Sequence, residues 1–477
     1  MKLATLFLLA LFLGFSAPAN AEIPVHTESL QLKFSDWGDL LTVRACLPDC
    51  AAGDAKTQEF DSYRGFISLN RESGVAFELE RFDSDHSIDL VFTNLLSNEV
   101  RRWRIPHTGW LLGLEVSRPQ GMAMTSGEAF SPRDVPGFGA WLETLRYVAL
   151  DDGAIHQSGL EEDIDAVTLE SQWLGYRNRY WAAMIRPDQA VLASLRTGES
   201  QTEAQVDLSP EDADPIRYMV YAGPVEPAAL KAAHADLSRL MYSGLWVWLG
   251  WICHALFWLL AMIHSVVPSW GLAIILMSLL VQLVMKPLNR WANGLQDDVR
   301  RTEARIAPSL AAIKKEYKGS EQAERIIALY KEENVHPLYS LKSMAGVLVI
   351  IPVFIGAFNM LSENIWLSGA SFLWIMDLSL PDAVASLPFS IPFLGSDLNL
   401  LPFIMIALSI PASMLRNADD ADPVVHARHT RNLVLMSLLF FLLFYTFPAG
   451  MVLYWVVNNV VSFCGALIQR FRQPGQQ

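Results

Sequence analysis

Two hydrophobic periods divide the chain. In the first half, apolar and polar residues alternate: Val75, Phe77 and Leu79 interleave with Ala76, Glu78 and Glu80, and Ile88, Leu90 and Phe92 with Asp89, Val91 and Thr93. That period of two predicts half-buried strands, and similar short runs recur at residues 66–69, 100–105, 110–116 and 180–185, broken by Gly, Pro and Asn. Together they predict a β-sandwich over residues 22–222. From Pro227 to Met241 the spacing of Leu230, Ala233, Leu237 and Leu240 turns helical, giving a connector.

The second half carries long apolar runs: residues 245–267, 271–288, 344–361, 400–415, 433–447 and 451–467. Runs of this kind predict a helical membrane domain. Charge then counts the spans. If 245–267 crossed the bilayer, the linker 289–343 would lie outside with ten bases, among them Arg300, Arg301, Arg305, Lys314 and Lys315, against the positive-inside rule. With 245–267 lying along the outer interface, Trp246, Trp248, Trp251 and Trp258 at headgroup depth, five spans remain and every base after residue 243 falls at or on the cytoplasmic side. The outer loop 362–399 then holds Glu363, Asp377, Asp382 and Asp397 and no base. Within the linker, Ile306, Leu310, Ile313 and Tyr317 form one apolar stripe and Ala323, Ile326, Ile327 and Tyr330 a second, with a break at Lys318-Gly319-Ser320, which predicts a cytoplasmic helical hairpin.

Residues 1–21 read as a secretory signal, or an N-terminal anchor: Lys2, an apolar run from Leu3 to Phe15, and the small-x-small site Ala19-Asn20-Ala21. Either reading puts residue 22 onwards outside the cytoplasm. There Cys46 and Cys50 are either a small-loop disulfide or two unpaired thiols, and two cysteines do not make a closed zinc site.

Composition adds exclusions. Charged residues are 18% of the 477, hydrophobic residues 52%, and the mean hydropathy is +0.25, which points part of the chain towards lipid. The net charge of −14 disfavours nucleic acid, whose binding needs phosphate neutralisation. The acids concentrate in residues 22–243, which hold 35 acids and 19 bases, against 15 and 16 in residues 244–477. The exported histidines, His26, His86, His107, His156 and His234, are isolated, so a catalytic or metal role there has no support. A secondary transporter would carry repeats and buried acids at the midplane, and the five spans contain no Asp or Glu.

Four stretches resemble the YidC family of bacterial membrane protein insertases, relatives of the mitochondrial and thylakoid insertases. They are Ala328–Leu338, Leu373-Trp374-Ile375-Met376-Asp377-Leu378-Ser379, Phe447-Pro448-Ala449-Gly450, and Met451–Asn459 with its Tyr454-Trp455 and Asn458-Asn459 pairs. The likeness is strong over 225–470 and weaker through 173–187 and 221–227. It implies a signal or anchor 1–21, a periplasmic β-sandwich 22–222, a connector and interfacial helix 223–270, an insertase core 271–470 containing the hairpin 289–343, and a short cytoplasmic tail 471–477. It also implies an inner-membrane location, nascent membrane proteins and lipid as partners, the secretory translocon and ribosome as further ones, and no nucleotide, metal or other cofactor. The activity implied is insertion through a hydrophilic groove open to cytoplasm and lipid. Groove residues would be Gln282 and Lys286, one turn apart; Asn359; and Tyr454, Asn458, Asn459 and Ser462. Polar groups there shorten the dry path of a translocating segment. Their plain alternative is hydrogen bonding between helices. The family's groove arginine falls on Gln282, so Lys286 is either its replacement or a lysine snorkelling from a helix end. That departure, with the short exported domain, admits a second reading: a paralogue acting mainly as a folding or assembly chaperone.

Overall fold

The structure is a computed structural model that describes residues 22–63, 65–70, 77–151, 154–160, 164–197, 203–211, 214–333, 335, 345–416 and 423–472. The expectations for 1–21, for Val75, for 336–344 and for the tail beyond Arg472 lie outside these. Two compact units divide between Ser243 and Gly244, with Pro136–Gly139 grouped with the second.

The first unit is a sandwich of two antiparallel sheets. One runs, in spatial order, Ile23–His26, Leu30–Phe34, Leu40–Leu47, Ile67–Leu69, Met122–Thr125, Ala204–Pro210, Val191–Thr197 and Ile164–Leu169, with Lys56–Asp61 added on Leu40–Leu47. The other runs Ala154–Gly159, Arg146–Asp151, Trp173–Arg177, Trp181–Pro187, Ile216–Pro224, Leu111–Val116, Val100–Pro106, Ser87–Asn94 and Phe77–Asp83. Alternation drives the burial: Ile88, Leu90 and Phe92 of one strand and Trp103 and Ile105 of its neighbour are buried. Trp103 packs edge-on against Phe34 at 5.4 Å and donates Nε1–H to the Gly38 carbonyl at 2.8 Å. Phe60 packs between Phe66 and Phe130 with its ring tilted to both, and Phe130 meets Tyr176 at 5.5 Å. Arg101 is fully buried, and its guanidinium meets Glu99 at 2.7 Å and the Trp37 and Asn70 carbonyls at 3.0 and 3.1 Å, the pairing a buried charge requires. Cys46 and Cys50 are joined by a disulfide.

Two features depart from the periodicity. Phe77–Asp83 is the last strand of its sheet, and Leu79 and Phe82 are exposed rather than half-buried, because an edge strand has no facing layer over it. Conversely, Trp173–Arg177 and Trp181–Pro187 are buried on both faces. The connector supplies the second cover. It is not one helix but α1 (Pro227–Ala233), an extended residue at His234 and a 3-10 turn Ala235–Leu240. Leu230, Leu237 and Leu240 are fully buried, the His234 ring packs edge-on on Trp173, and Arg177 donates to the Leu240 carbonyl. Glu226 caps α1, accepting from the Ala229 amide at 2.8 Å.

The second unit is helical: α2 (Val247–Val266), α3 (Trp270–Glu316), α4 (Gly319–Glu332), α5 (Ala345–Ser362), α6 (Leu401–Arg416), α7 (Pro423–Phe444) and α8 (Ala449–Arg472). Among the described residues, Val247–Val266, Trp270–Ala292 and Ala449–Ile468 are long and apolar enough to cross a membrane; Ile351–Ser362, Leu401–Leu415 and Val434–Phe444 are shorter apolar helices. Apolar Leu and Val side chains point outwards here, Leu283 and Val284 of α3 among them, as lipid solvent permits. The run 271–288 does not stop before the linker. One 47-residue helix continues through Pro287 and Pro308, since residues 289–316 hold five Ala and four Arg, strong helix formers. A turn follows at Gly319, with φ of +66°, where Gln322 Nε2–H donates to the Tyr317 carbonyl at 2.8 Å. α4 folds back on α3 through Ile306, half-buried Leu310, Ile313 and Tyr317, Ile326, Leu329 and Tyr330; Ala323 and Ile327, expected in that seam, are exposed. An Arg305–Glu333 ion pair at 3.3 Å closes the open end.

The segment between α5 and α6 organises the helix ends. The Phe372 ring lies where a side chain at Gly271 would sit, so only glycine admits it at the start of α3. Asp382, buried, accepts from Trp374 Nε1–H at 3.1 Å and from the Leu400 and Leu401 amides at 3.0 and 2.8 Å. A hairpin, Ala383–Ile391 with Gly395–Asn399, completes it.

Two outcomes are expected. Burial raises the Glu226 carboxyl above its ordinary pKa, opposed by the Ala229 and Ala228 amides. A raised folded-state pKa makes the protonated form the better folded partner, so this group's contribution is present below the unfolded value, about 4.3, and is lost as pH rises through the folded one. Glu226→Gln, keeping the cap acceptor, should therefore gain stability over the parent chain as pH rises from 4 to 7, while Glu226→Ala should lose about 1 kcal/mol; near-UV circular dichroism during denaturation measures both. Asp382→Ala should cost about 3 kcal/mol or more by orphaning three donors, and Asp382→Asn clearly less, read as thermal stability in detergent.

Candidate functional site

α8 is the most enclosed of the three long apolar helices, and α3, α5 and α6 all pack against it. Its first turn is set by the segment before α6: the Ala449 amide donates to the Leu380 carbonyl at 2.7 Å and the Gly450 amide to that of Leu378 at 2.8 Å. Lower down, Trp455 lies among Phe354 of α5 at 5.0 Å and Phe440 and Phe444 of α7 at 5.5 and 5.2 Å. These contacts fix the rotation of α8 and so the direction in which its polar side chains point.

Gln282 of α3 donates Nε2–H to Asn458 Oδ1 of α8 at 2.7 Å, and Asn458 Nδ2–H donates to the Tyr454 carbonyl one turn earlier at 3.0 Å. Gln282 and Asn458 are half-buried; Tyr454 is buried. Tyr454 and Asn458 therefore share the face of α8 that looks at Gln282, as a spacing of four requires. Asn459 turns elsewhere, donating to the Met405 carbonyl of α6 at 3.3 Å. The Asn359 amide bonds the Ile355 carbonyl of its own helix at 2.8 Å, and Ser462 is half-buried on α8. Lys286, one turn beyond Gln282, is exposed. Of the seven residues singled out in the sequence, the structure thus joins Gln282, Asn458 and Tyr454 by hydrogen bonds and turns Asn459 to α6 and Asn359 to its own backbone.

The pair is electrically neutral and carries both donors and acceptors. It can exchange its hydrogen bonds with the amides of another polypeptide; it offers no nucleophile and no acid or base near neutrality. Among the described residues, no group of three or more His, Cys, Asp or Glu side chains gathers as a metal site would require. Asp382 escaped the sequence reading as a positioning residue, because the amides it holds are 18 and 19 residues away, beyond any helix-cap spacing.

Residues 262–474 match the family described as 60Kd inner membrane protein, and residues 140–259 match the YidC periplasmic domain. The chain is similar to the membrane protein insertase YidC of Pseudomonas fluorescens, 29% identical over 80% of this chain and 64% of that one. Comparable relatives are those of Pseudomonas syringae pv. tomato, at 28% over 82% and 65%, and Polynucleobacter necessarius, at 28% over 70% and 57%. The chain thus spans less than two thirds of the length of the curated relatives it matches. A crystal structure of an active YidC insertase with its first transmembrane domain resolved aligns over 97% of both chains at 18% identity and a TM-score of 0.36, a level that says nothing about individual elements. The two family matches run almost without a break from residue 140, within the sandwich, to residue 474, taking in the last helix, and over that stretch the chain belongs to the YidC family of multi-pass inner-membrane proteins with a periplasmic domain.

Proposed function

We propose that this chain is a membrane protein insertase that lets nascent membrane proteins enter the inner-membrane bilayer beside α3 and α8. The observation that carries this is the Gln282–Asn458 hydrogen bond, two neutral amides facing each other between helices in a mainly apolar bundle. A polar segment crossing hydrocarbon meets a large desolvation barrier, and amides at partial depth shorten the dry path. Family membership supports the same reading, since the curated relatives are named as insertases. Nascent membrane proteins and lipid are the partners this requires, and the secretory translocon and the ribosome are the further ones that the resemblance implies.

In this reading α3, α5, α6, α7 and α8 are five core spans and α4 with the end of α3 is a cytoplasmic hairpin. α2 lies along the outer interface: its buried residues Leu249, Cys253, Leu256 and Leu260 make one stripe, while Trp246, Trp251 and Trp258 stay largely exposed, suited to headgroup depth. The groove is lined by Gln282, Lys286, Tyr454, Asn458 and Ser462, with Asn359 and Asn459 holding helices. The neutral pair where the family places an arginine favours one second reading, an assembly chaperone with little insertion of its own.

Three measurements bear on this. Ser320→Cys should be modified only by reagents that reach the cytoplasm; labelling from the periplasm in intact cells would overturn the topology. The chain as the only insertase of a cell should sustain growth and insertion; failure at normal protein level would favour the chaperone reading. If Lys286 supplies attraction for acidic translocated segments, Lys286→Gln should impair acidic clients more than neutral ones, and Gln282→Arg should partly restore them. A unit charge about 6 Å away at an effective dielectric near 20 is worth roughly 2–3 kcal/mol, more than tenfold in partition. Equal effects on all clients would make Lys286 a snorkelling lysine.

A further inference from the structure

The hairpin Ala383–Ile391 with Gly395–Asn399 takes no part in the pair above, and its composition is unlike that of a water-facing loop. From Ala383 to Asn399 it carries one charge, Asp397, amid Val384, Leu387, Phe389, Ile391, Phe393 and Leu398. It is a two-stranded sheet by itself. Val384 and Phe389 are 49% and 60% exposed, and the strand Ala383–Ile391 is uncovered on both faces, with only Leu387 and Ile391 half-buried. Beside it in sequence, Leu373 and Met376 are 75% and 86% exposed. A lone two-stranded ribbon is marginal in water, and this many exposed large apolar side chains on one short segment mark a contact surface.

The base of the hairpin is fixed to helix ends. Asn399 Nδ2–H donates to the Tyr445 carbonyl at 2.7 Å, just past α7, and the Tyr445 hydroxyl donates to the Asp397 carbonyl at 2.9 Å. α6 begins at Leu401, two residues after the second strand, with Asp382 on its first amides. The single charge is engaged as well: the Ser386 hydroxyl donates to Asp397 Oδ1 at 2.9 Å.

We propose that this hairpin, with Leu373 and Met376, lies in the outer interface of the bilayer and packs its apolar side chains against lipid. Lipid is the occupant because the second strand leads within two residues into apolar α6 and its base is bonded to Tyr445 just past the end of apolar α7. It is also the occupant because Val384 and Phe389 of the first strand are uncovered, while Phe138 and Pro136 meet the hairpin at Phe393 and Gly395, in and beside its turn. Its unpaired strand edges fix the depth. Open backbone groups are not tolerated in hydrocarbon, whereas water and headgroups satisfy them at the interface. The hairpin then anchors the starts of α6 and α8 at a set depth, since the same segment holds Leu400, Leu401, Ala449 and Gly450 by their amides. This inference rests on the outward placement of residues 363–399.

The test uses the full chain in vesicles of phosphatidylethanolamine and phosphatidylglycerol, spin-labelled at Val384→Cys or Phe389→Cys in a Cys464→Ser background; Cys253 is buried and stays. At both sites, collisions with lipid-soluble oxygen should exceed those with a water-soluble nickel chelate. The order should reverse at Tyr63→Cys, whose side chain is 96% exposed on the sandwich. Dominance of the chelate at both hairpin sites would overturn the proposal, and so would an immobilised label shielded from both reagents, which would mark a protein partner. Reduction of the label by external ascorbate in right-side-out vesicles reports the placement separately, and insertion assayed on the same vesicles reports the function separately.

Discussion

The amides of Ala449 and Gly450 have no acceptors within their own helix, and in an apolar surrounding each would cost several kcal/mol if left open. They are held instead by the Leu380 and Leu378 carbonyls. Much in the second unit depends on that junction. It sets the height of α8, which carries Trp455 into the ring cluster of α5 and α7 and brings Asn458 level with Gln282 of α3. Without the loop, the helix would be apolar on most sides and free to slide or rotate, because lipid gives little preference among apolar faces.

The two units solve opposite solvent problems with the same side chains. In the sandwich, Leu, Ile, Phe and Trp turn inwards, and the fully buried guanidinium of Arg101 is surrounded by carboxylates and carbonyls. In the helical unit, many Leu and Val side chains turn outwards instead, and beside the buried ones the interior is defined by rings, by a close glycine contact at Gly271 and by a few amide hydrogen bonds. Order there comes from shape and polar pairing, since burying an apolar side chain among helices gains little over leaving it in lipid.

The Gln282–Asn458 pair is correspondingly weak. Side-chain hydrogen bonds between membrane helices are worth about 0.6–2 kcal/mol, small enough for another polypeptide to exchange them without unfolding the bundle. A fixed charge at that position would hold counter-charges more tightly and discriminate more between clients. A neutral pair gives tolerance in place of selectivity, as the proposed insertion of many different segments would need.

The sequence by itself determined the two halves, the strands at Ser87–Asn94, Val100–Pro106 and Leu111–Val116, the apolar helices and the hairpin break at Gly319, because these follow from local period, propensity and turn chemistry. It also carried the family, through short motifs such as Trp374-Ile375-Met376-Asp377 and Pro448-Ala449-Gly450. What it did not carry is why those two motifs matter to each other: they lie some seventy residues apart, and only folding brings the Leu378 carbonyl to the Gly450 amide. The exposure of Phe77–Asp83, the double burial of Trp173–Arg177 and the sorting of Asn458 from Asn459 were likewise decided by tertiary structure. Adjacent asparagines on one helix are indistinguishable by type. Which of them meets Gln282 depends on the rotation of α8, and that rotation is set by contacts from three other helices and a loop.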